Sequence, residues 1–558
     1  ARIEAVAHAL WSRGVVAGDR VALMSPNRID WVVVNLAVLS IGAATVPLYA
    51  TQALDHVQII LDDCGAKLLF VDSEATRSRL REGGVRAPET VVFDGSASDG
   101  LAAFEAAGAA LRDASPSRLA DYAGSIKPED LAVLIYTSGT TGVPKGVMLT
   151  HRNIASTALA GLSTLQEIIR TGEPVLSVLP WAHIYEHTDL YLFFLCNATV
   201  YVCHGPDDLL ADLQAVRPVV FAAVPRIFER VIAGIIGKSK AEGGLKARLV
   251  PWALGVGRQY MRATLENGAA VPGTLRLQYA LAKALVLKKL RPALGLDRLK
   301  FVLSGSAPLH EDVALTLAAA DITILEGYGL TECSPVVSVN TPEHYRLGTV
   351  GMPIAGVDVR LADDGELLVR GPNVMKGYYH DPAATAATIH DGWLATGDIA
   401  SIDADGFIRI TDRKKELFKT SGGKFVAPAR VESALLRSPY VSQVMVLGNG
   451  RAHPIALVSP NWPLVRRDLG IADDVSPEQA AELVKVQDFM SKEAATNSAD
   501  LATYEQVRRV GVLPRDLTIA DNELSPTLKV RRRVVEERYA DLIEQAYGAR
   551  STAEVVPA

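Results

Sequence analysis

The stretch "LAVLIYTSGTTGVPKGVMLT", Leu131 to Thr150, decides how the rest of the chain is read. It opens on an uninterrupted apolar run, the pattern of a strand buried on both faces. Thr137, Ser138, Gly139, Thr140, Thr141 and Gly142 follow, and the loop closes on Pro144, Lys145 and Gly146. A loop of this kind after a buried strand turns backbone N–H groups and hydroxyls toward an anion, and Lys145 adds a point charge. It is not a Walker loop, which needs GxxxxGK[ST]; Gly146 stands where the metal-binding hydroxyl would be. Alone, the loop reads equally as a polyphosphate cradle and as a flexible turn.

Runs of the same texture recur on both sides: "RVALMSPN" from Arg20, "KLLFVDS" from Lys67, "VLSVLPWAH" from Val175, "VVFAAVPR" from Val219, "KFVLSGSAP" from Lys300 and "ITILEGYG" from Ile322. Ala- and Leu-rich helical stretches separate them, which predicts an α/β fold of layered sheets and helices. Several runs end in Gly, Ser or Pro, and ligands of open α/β sheets collect outside the carboxyl ends of strands. After about Leu347 the texture changes to short strands, including a hairpin turning at Asp403 to Gly406, and then to a smaller α+β unit. The segment "TDRKKELFKTSGGKF" between them has the charge and glycine of an exposed junction. "AAFEAAGAALRDAS" reads as plain helix.

A chain of 558 residues is too long for one simple core, so at least two domains are expected. With 49% hydrophobic and 22% charged residues it is not globally disordered, and a net charge of -6 argues against bulk nucleic-acid binding. Cys64, Cys196, Cys203 and Cys333 show no CxxC spacing, which suits buried thiols in a reducing cytosol. The apolar window "LYLFFLCNATVYV" from Leu190 is too short to span a bilayer. No secretory leader is visible, and the chain opens without Met inside an amphipathic helix, so residues preceding Ala1 are expected.

Two further motifs take the loop beyond chance. In "EGYGLTECSP" from Glu326, Gly327 and Gly329 let backbone approach a flat ligand and Tyr328 offers a stacking face. Thr331 and Glu332 offer oxygen ligands for Mg²⁺. In "ATGDIA", Asp398 follows Gly397 where a carboxylate could accept both hydroxyls of a ribose, although alone a turn-capping carboxylate is the better reading.

"YTSGTTGVPKG", "GSAPL", "EGYGLTE", "DGWLATGD" and "DRKKELFK" in this order resemble the acyl-adenylate-forming superfamily of acyl-CoA synthetases, luciferases and peptide-synthetase adenylation domains. The resemblance runs from about Gly14 to Gly548. "DGWLATGDIASIDADGFIRITDRKKELFK" resembles the fatty-acyl-CoA synthetase signature, and "TSGGKFVAP" and "LSPTLKVRRR" are similar to its long-chain fatty-acid–CoA ligase branch, bacterial type. The resemblance implies a large N-terminal domain over 1–411, a hinge at 412–415 and a small mobile α+β domain over 416–558. It implies AMP-forming ligation of a long-chain fatty acid to coenzyme A through an acyl-adenylate, with ATP and Mg²⁺, and rotation of the small domain between half-reactions.

The roles it implies are specific. Thr137 to Lys145 would hold the β- and γ-phosphates, Glu332 the Mg²⁺, with Thr331 beside the phosphates. Gly305, Ser306 and Ala307, with Glu326, Gly327, Tyr328 and Gly329, would line the adenine, and Asp398 the ribose. Arg413 would approach the ribose and phosphate, though as an exposed Arg in a charged run it reads equally as solvated surface. His183 in "LPWAHIYEHT" matches the motif histidine near the α-phosphate; without the motif it would be a structural hydrogen-bonder. His187 has no matched role. Lys529 matches the lysine that serves adenylation, and Arg531 to Arg533 read as surface or as contacts for CoA phosphates. Asp412 and Lys415 fall in the hinge, and Lys419 is the candidate contact for the thioester step.

Chain length rests on the branch resemblance, since "YLFFLCNATVYV" and "VVFAAVPRIFERV" read more naturally as core than as tunnel lining. The alternatives are a fatty acyl-AMP ligase that delivers to a carrier protein, an aryl or short-chain acid–CoA ligase, and a non-enzymatic acyl-binding protein. The GxSxG elbow of serine hydrolases is absent. A cytoplasmic location with peripheral contact at the inner face of the membrane is expected, yet no basic amphipathic anchor stands out.

Overall fold

The computed structural model describes residues 1–548 except 97, 139–143, 166–167, 204, 206–207, 266–270, 415, 473 and 526–528. The chain divides into two compact units: residues 1–362, 367–396 and 402–409 form the first, and 363–366, 397–401 and 410–558 the second.

The first unit is layered α/β, as the alternation of runs predicts. Its early strands are β1 (Arg20–Met24), β2 (Ala44–Leu48), β3 (Leu68–Val71), β4 (Glu89–Val92), β5 (Leu131–Ser138) and β6 (Pro144–Thr150). Next come β7 (Pro174–Ser177), β8 (Thr199–Val202), β9 (Val220–Ala223), β10 (Phe301–Ser304), β11 (Ile324–Gly329), β12 (Val336–Val339) and β13 (Met352–Pro353). β14 (Asp358–Leu361) and β15 (Glu366–Arg370) make an antiparallel pair, and β16 (Gly377–Tyr378) follows. One sheet runs β16-β6-β5-β2-β1-β3-β4 and a second runs β13-β12-β11-β10-β9-β7-β8.

The pairings β1–β2, β1–β3, β9–β10 and β10–β11 are parallel, so helices must cross over between them. Covered on both faces, β2, β3 and β9 are buried at every residue, which is why they read as continuous apolar runs and not as alternating ones. Helix ends follow local chemistry. Ser73 caps the helix Glu74–Glu82 by accepting from the Thr76 N–H, and Gly65 ends the helix Leu54–Cys64 at φ 57°. One core joins the two sheets: fully buried Trp31 lies 5.5 Å from Trp181, among Phe70, Val34 and Leu190.

"AAFEAAGAALRDAS" lies in the helix Leu101–Ala114. "YLFFLC" closes the helix Ile184–Leu195, and "TVYV" is β8. All four cysteines are buried and unbridged. No helix among the described residues is long and apolar enough to cross a membrane.

In the second unit the strands Val441–Leu447, Ile455–Pro460 and Val510–Val512 form a sheet with helices packed on it. The core holds Val431, Leu435, Val446, Val458, Val486 and Met490.

Candidate active site

β5 and β6 pair antiparallel on either side of the polyphosphate-type loop in the sequence. Residues Gly139, Thr140, Thr141 and Gly142 lie outside the described residues, as does the Ser138 side chain. The stems are defined: Tyr136 faces Gly146, Thr137 faces Lys145 and Ser138 faces Pro144. Gly146 has no room for a side chain, since a Cβ there would meet Leu134, Tyr136 and Tyr379 at 3.0–3.2 Å. Tyr136 is pinned in turn by its hydroxyl, which donates to Asp63 at 2.5 Å.

The Lys145 ammonium lies 3.1 Å from Asp381 and 5.4 Å from the centre of the Tyr378 ring. β16 brings these partners in by pairing with β6, Tyr378 opposite Val147, and the Tyr379 N–H donates to the Gly146 carbonyl at 2.7 Å. Asp381 also caps the helix Pro382–Thr388 by accepting from Ala384 N–H, and that bond together with Lys145 holds its carboxyl below the usual range. The Tyr378 hydroxyl donates to Glu332 Oε1 at 2.9 Å, and burial with the nearby Glu332 charge raises the phenol well above its ordinary value. The Glu332 carbonyl accepts from Met375 N–H at 2.8 Å.

The glycine motifs converge where β10 and β11 end side by side, Ser304 beside Glu326. A Cβ on Gly305 would stand 3.3 Å from the Tyr185 ring and 3.5 Å from the Gly327 carbonyl. One on Gly329 would fall 1.9 Å from the Pro335 carbonyl oxygen, so this close approach of β11 to β12 requires glycine. Ser306 adopts φ 68° and Ala307 is exposed, so the turn bends directly after Gly305. Burial, reinforced by Glu311, pushes the Glu326 carboxyl up to about 8. Thr331 opens the short turn that carries Glu332, and Thr188 fastens it by donating to the Ser334 carbonyl at 3.2 Å.

His183 is the N-cap of the helix Ile184–Leu195, its Nδ1 accepting from the Tyr185 N–H at 3.2 Å. A backbone N–H can only donate, so in the neutral ring the proton sits on Nε2. The loop before it is held by Asn27, which donates to the Leu179 carbonyl and accepts from Trp181 N–H. Glu186 ties the same helix to β7 by accepting from Ser177 Oγ at 2.5 Å and Val178 N–H at 3.1 Å. His187 is core: its Nε2 meets the Tyr191 hydroxyl at 3.0 Å, and burial lowers the ring to about 4.

The second unit holds the remaining candidates. Asp398 is buried, and Arg413 Nε donates to its Oδ1 at 3.2 Å, so Arg413 is tied to that carboxylate and is not merely solvated surface. Gly397 N–H donates to Glu366, which also takes Lys414 at 2.9 Å. Burial raises the Asp412 carboxyl to about 6, while Lys415 lies outside the described residues. Lys419 faces exposed Phe425 across a two-residue ladder closed by the Gly423 turn.

Lys529 is exposed at the neck of a hairpin. Its N–H donates to Ser525 Oγ at 3.0 Å and its carbonyl accepts from Ser525 N–H at 2.8 Å, with Leu524 bridged to Val530. Beside it Glu523 is fully buried and accepts from Arg515, Arg538, Tyr539 Oη and Thr518 N–H at 2.8–3.2 Å. Burial alone would raise this carboxyl, but Arg515, Thr518 N–H, Arg538 and Tyr539 hold it down at about 2.

Tyr378, Asp381, Tyr185 and Glu523 were not singled out in the sequence. Asp381 before Pro382 carries a readable N-cap signature, whereas its ion pair with Lys145 has none. The donors suit a hard cation, since Glu332 and Thr331 offer only oxygen. Among the described residues no group of three or more His, Cys, Asp or Glu could hold a metal by itself.

Residues 1–379 match the AMP-binding enzyme family and 416–551 its C-terminal domain. The long-chain-fatty-acid–CoA ligase FadD15 of Mycobacterium tuberculosis is 36% identical over 98% of this chain and 91% of its own length. The peroxisomal long chain acyl-CoA synthetase 6 of Arabidopsis thaliana is 32% identical over 97% and 80%. Among solved structures, the anthranilate CoA ligase AuaEII with anthranoyl-AMP superposes at a TM-score of 0.69 with 20% identity, covering 98% of this chain and 92% of that one. The fold is thus the one seen in adenylate-forming enzymes, and the chain belongs to the AMP-binding enzyme family.

Proposed function

We propose that this protein ligates a long-chain fatty acid to coenzyme A with ATP, forming AMP and pyrophosphate through an acyl-adenylate. The observation that carries the reading is the line from Lys145 across the Tyr378 ring to Glu332. It unites the β6 lysine with the motif carboxylate, far apart in sequence, around one tyrosine.

In the first half-reaction a fatty carboxylate attacks the α-phosphorus of ATP, an anion approaching an anion. Catalysis is then mainly alignment and charge neutralisation. Thr137 and Lys145 hold the outer phosphates, and Lys145 exchanges Asp381 for them. Glu332, oriented by Tyr378, would hold Mg²⁺, which would supply charge neutralisation on the phosphates. His183 offers its Nε2–H to an oxygen of the reacting groups. Gly305, Gly327 and Gly329 leave backbone bare for the adenine, Asp398 takes the ribose with Arg413 beside it, and Lys529 adds a cation to the adenylation step. In the second half-reaction the CoA thiol displaces AMP, with Lys419 as a contact. We assign rotation of the small domain between the two steps to the junction 412–415.

The test is product analysis with palmitate, ATP and Mg²⁺, with and without CoA. AMP and palmitoyl-CoA in equal amounts only with CoA is the expected result. Acyl-AMP without thioester would assign a carrier-protein acceptor, and turnover with aryl or short-chain acids alone would overturn the chain-length reading.

A further inference from the structure

Between β9 and β10 the chain makes a helical layer, residues 225–296, holding thirteen Lys and Arg against three Asp and Glu in a protein of net charge -6. Its last helix, Gly273–Ala282, runs through one π turn, Lys283–Leu287, into Lys288–Ala293. The inner side is ordinary core: Ala282, Val286 and Leu287 pack with Ala253, Leu254 and Val256 of the helix Lys246–Leu265, and Tyr279 stacks on Tyr260 at 3.9 Å. The outer side is not ordinary surface. Leu277, Leu281 and Leu285, four residues apart, are 74%, 52% and 41% exposed. Arg276, Lys288 and Lys289 are exposed along and beyond this row and form no ion pair with a described residue. From Gly268 to Leu296 there is no Asp or Glu.

An apolar row bordered by Arg276, Lys288 and Lys289, with the nearby Asp321 carboxylate taken by Lys283 at 2.8 Å, is complementary to a surface with anionic headgroups above an apolar interior. A second copy is disfavoured, because a two-fold contact would set these cations against each other. We propose that the outer face of Gly273–Ala293 docks this protein on an anionic lipid bilayer, with Leu277, Leu281 and Leu285 entering the headgroup boundary and Arg276, Lys288 and Lys289 on lipid phosphates. A bilayer is also where a long-chain acid accumulates, but the docking surface stands independently of the catalytic reading.

The test is co-sedimentation of the chain with vesicles of phosphatidylcholine, with and without phosphatidylglycerol, at low and high salt. Binding to the anionic vesicles that salt reverses is expected. The double variant Leu277→Asp/Leu281→Asp and the triple variant Arg276→Gln/Lys288→Gln/Lys289→Gln should each weaken it by roughly tenfold or more. Both variants should keep wild-type circular dichroism and adenylate formation from a soluble acid, which separates lost docking from lost folding. No binding to anionic vesicles, or equal binding by wild type and both variants, overturns the proposal. So does a concentration-dependent dimer in sedimentation velocity that Leu277→Asp abolishes, which would give the face to a second copy.

Discussion

Tyr378 donates its hydroxyl to Glu332 Oε1 at 2.9 Å while its ring lies 5.4 Å from the Lys145 ammonium. Phenylalanine keeps the ring and loses only the hydroxyl. Tyr378→Phe is therefore expected to leave the lysine contact intact and to misorient the carboxylate, raising the half-saturating Mg²⁺ concentration about tenfold. Titration of acyl-AMP formation with Mg²⁺ at saturating ATP measures this. An unchanged Mg²⁺ curve would show that Tyr378 has no part in holding the cation.

Lys529→Ala should lower acyl-AMP formation by about two orders of magnitude while thioester formation from preformed acyl-AMP persists. Pyrophosphate exchange and CoA acylation, assayed separately, give the two numbers. Equal loss in both would remove Lys529 from a role specific to the first step.

The hairpin that carries Lys529 is rooted at Glu523, and Glu523→Gln tests the root. Gln cannot serve Arg515 and Arg538 as a carboxylate does, so a loss of about 2 kcal/mol is expected from the second unit. Because the folded carboxyl is held at about 2, its contribution is present above the unfolded value near 4.5 and is lost as pH falls from there toward 2. Wild-type stability, followed by urea unfolding, should decline through that acid window more steeply than that of Glu523→Gln. Matching slopes would mean the four donors do not depend on the charge.

His187 gives a second pH window, with its own sign. Buried and neutral, it titrates at about 4 when folded and near 6.5 when unfolded, so the unfolded chain binds the extra proton and acid destabilises the fold. From pH 7 to pH 5 the cost is about 2 kcal/mol. Buried Asp189, raised to about 8 by desolvation, acts in the opposite direction, so the comparison is between variants and not within wild type. His187→Gln should show less loss of stability than wild type over that interval; an identical change would place the titration elsewhere.

What the sequence disclosed and what it withheld divide by range. β2 and β3 were visible because strands buried on both faces read as unbroken apolar runs, and the hairpin after Ile402 because Asp403 and Gly406 carry turn chemistry. Gly329 was legible as a bare backbone, though only the structure shows Pro335 as the reason. Tyr378 was silent, since "KGYYHD" has no period and its meaning comes from pairing with β6. Glu523 was hidden in a charged, irregular stretch, where nothing local distinguishes a solvated carboxylate from one that collects four donors. The row Leu277, Leu281 and Leu285 escaped for another reason: its helix is apolar on both sides, so periodicity cannot tell which side meets water.

The helical layer between β9 and β10 concentrates positive charge that the overall charge conceals. With thirteen cations and three anions gathered in residues 225–296, the rest of the chain must be considerably more acidic than -6. Adsorption to a charged support responds to the nearest patch and falls off within a Debye length, not to the sum over the whole surface. At neutral pH and low salt this nominally anionic protein should be retained by a cation-exchange resin, oriented with the face of Arg276, Lys288 and Lys289 toward the beads, and should elute at moderate ionic strength.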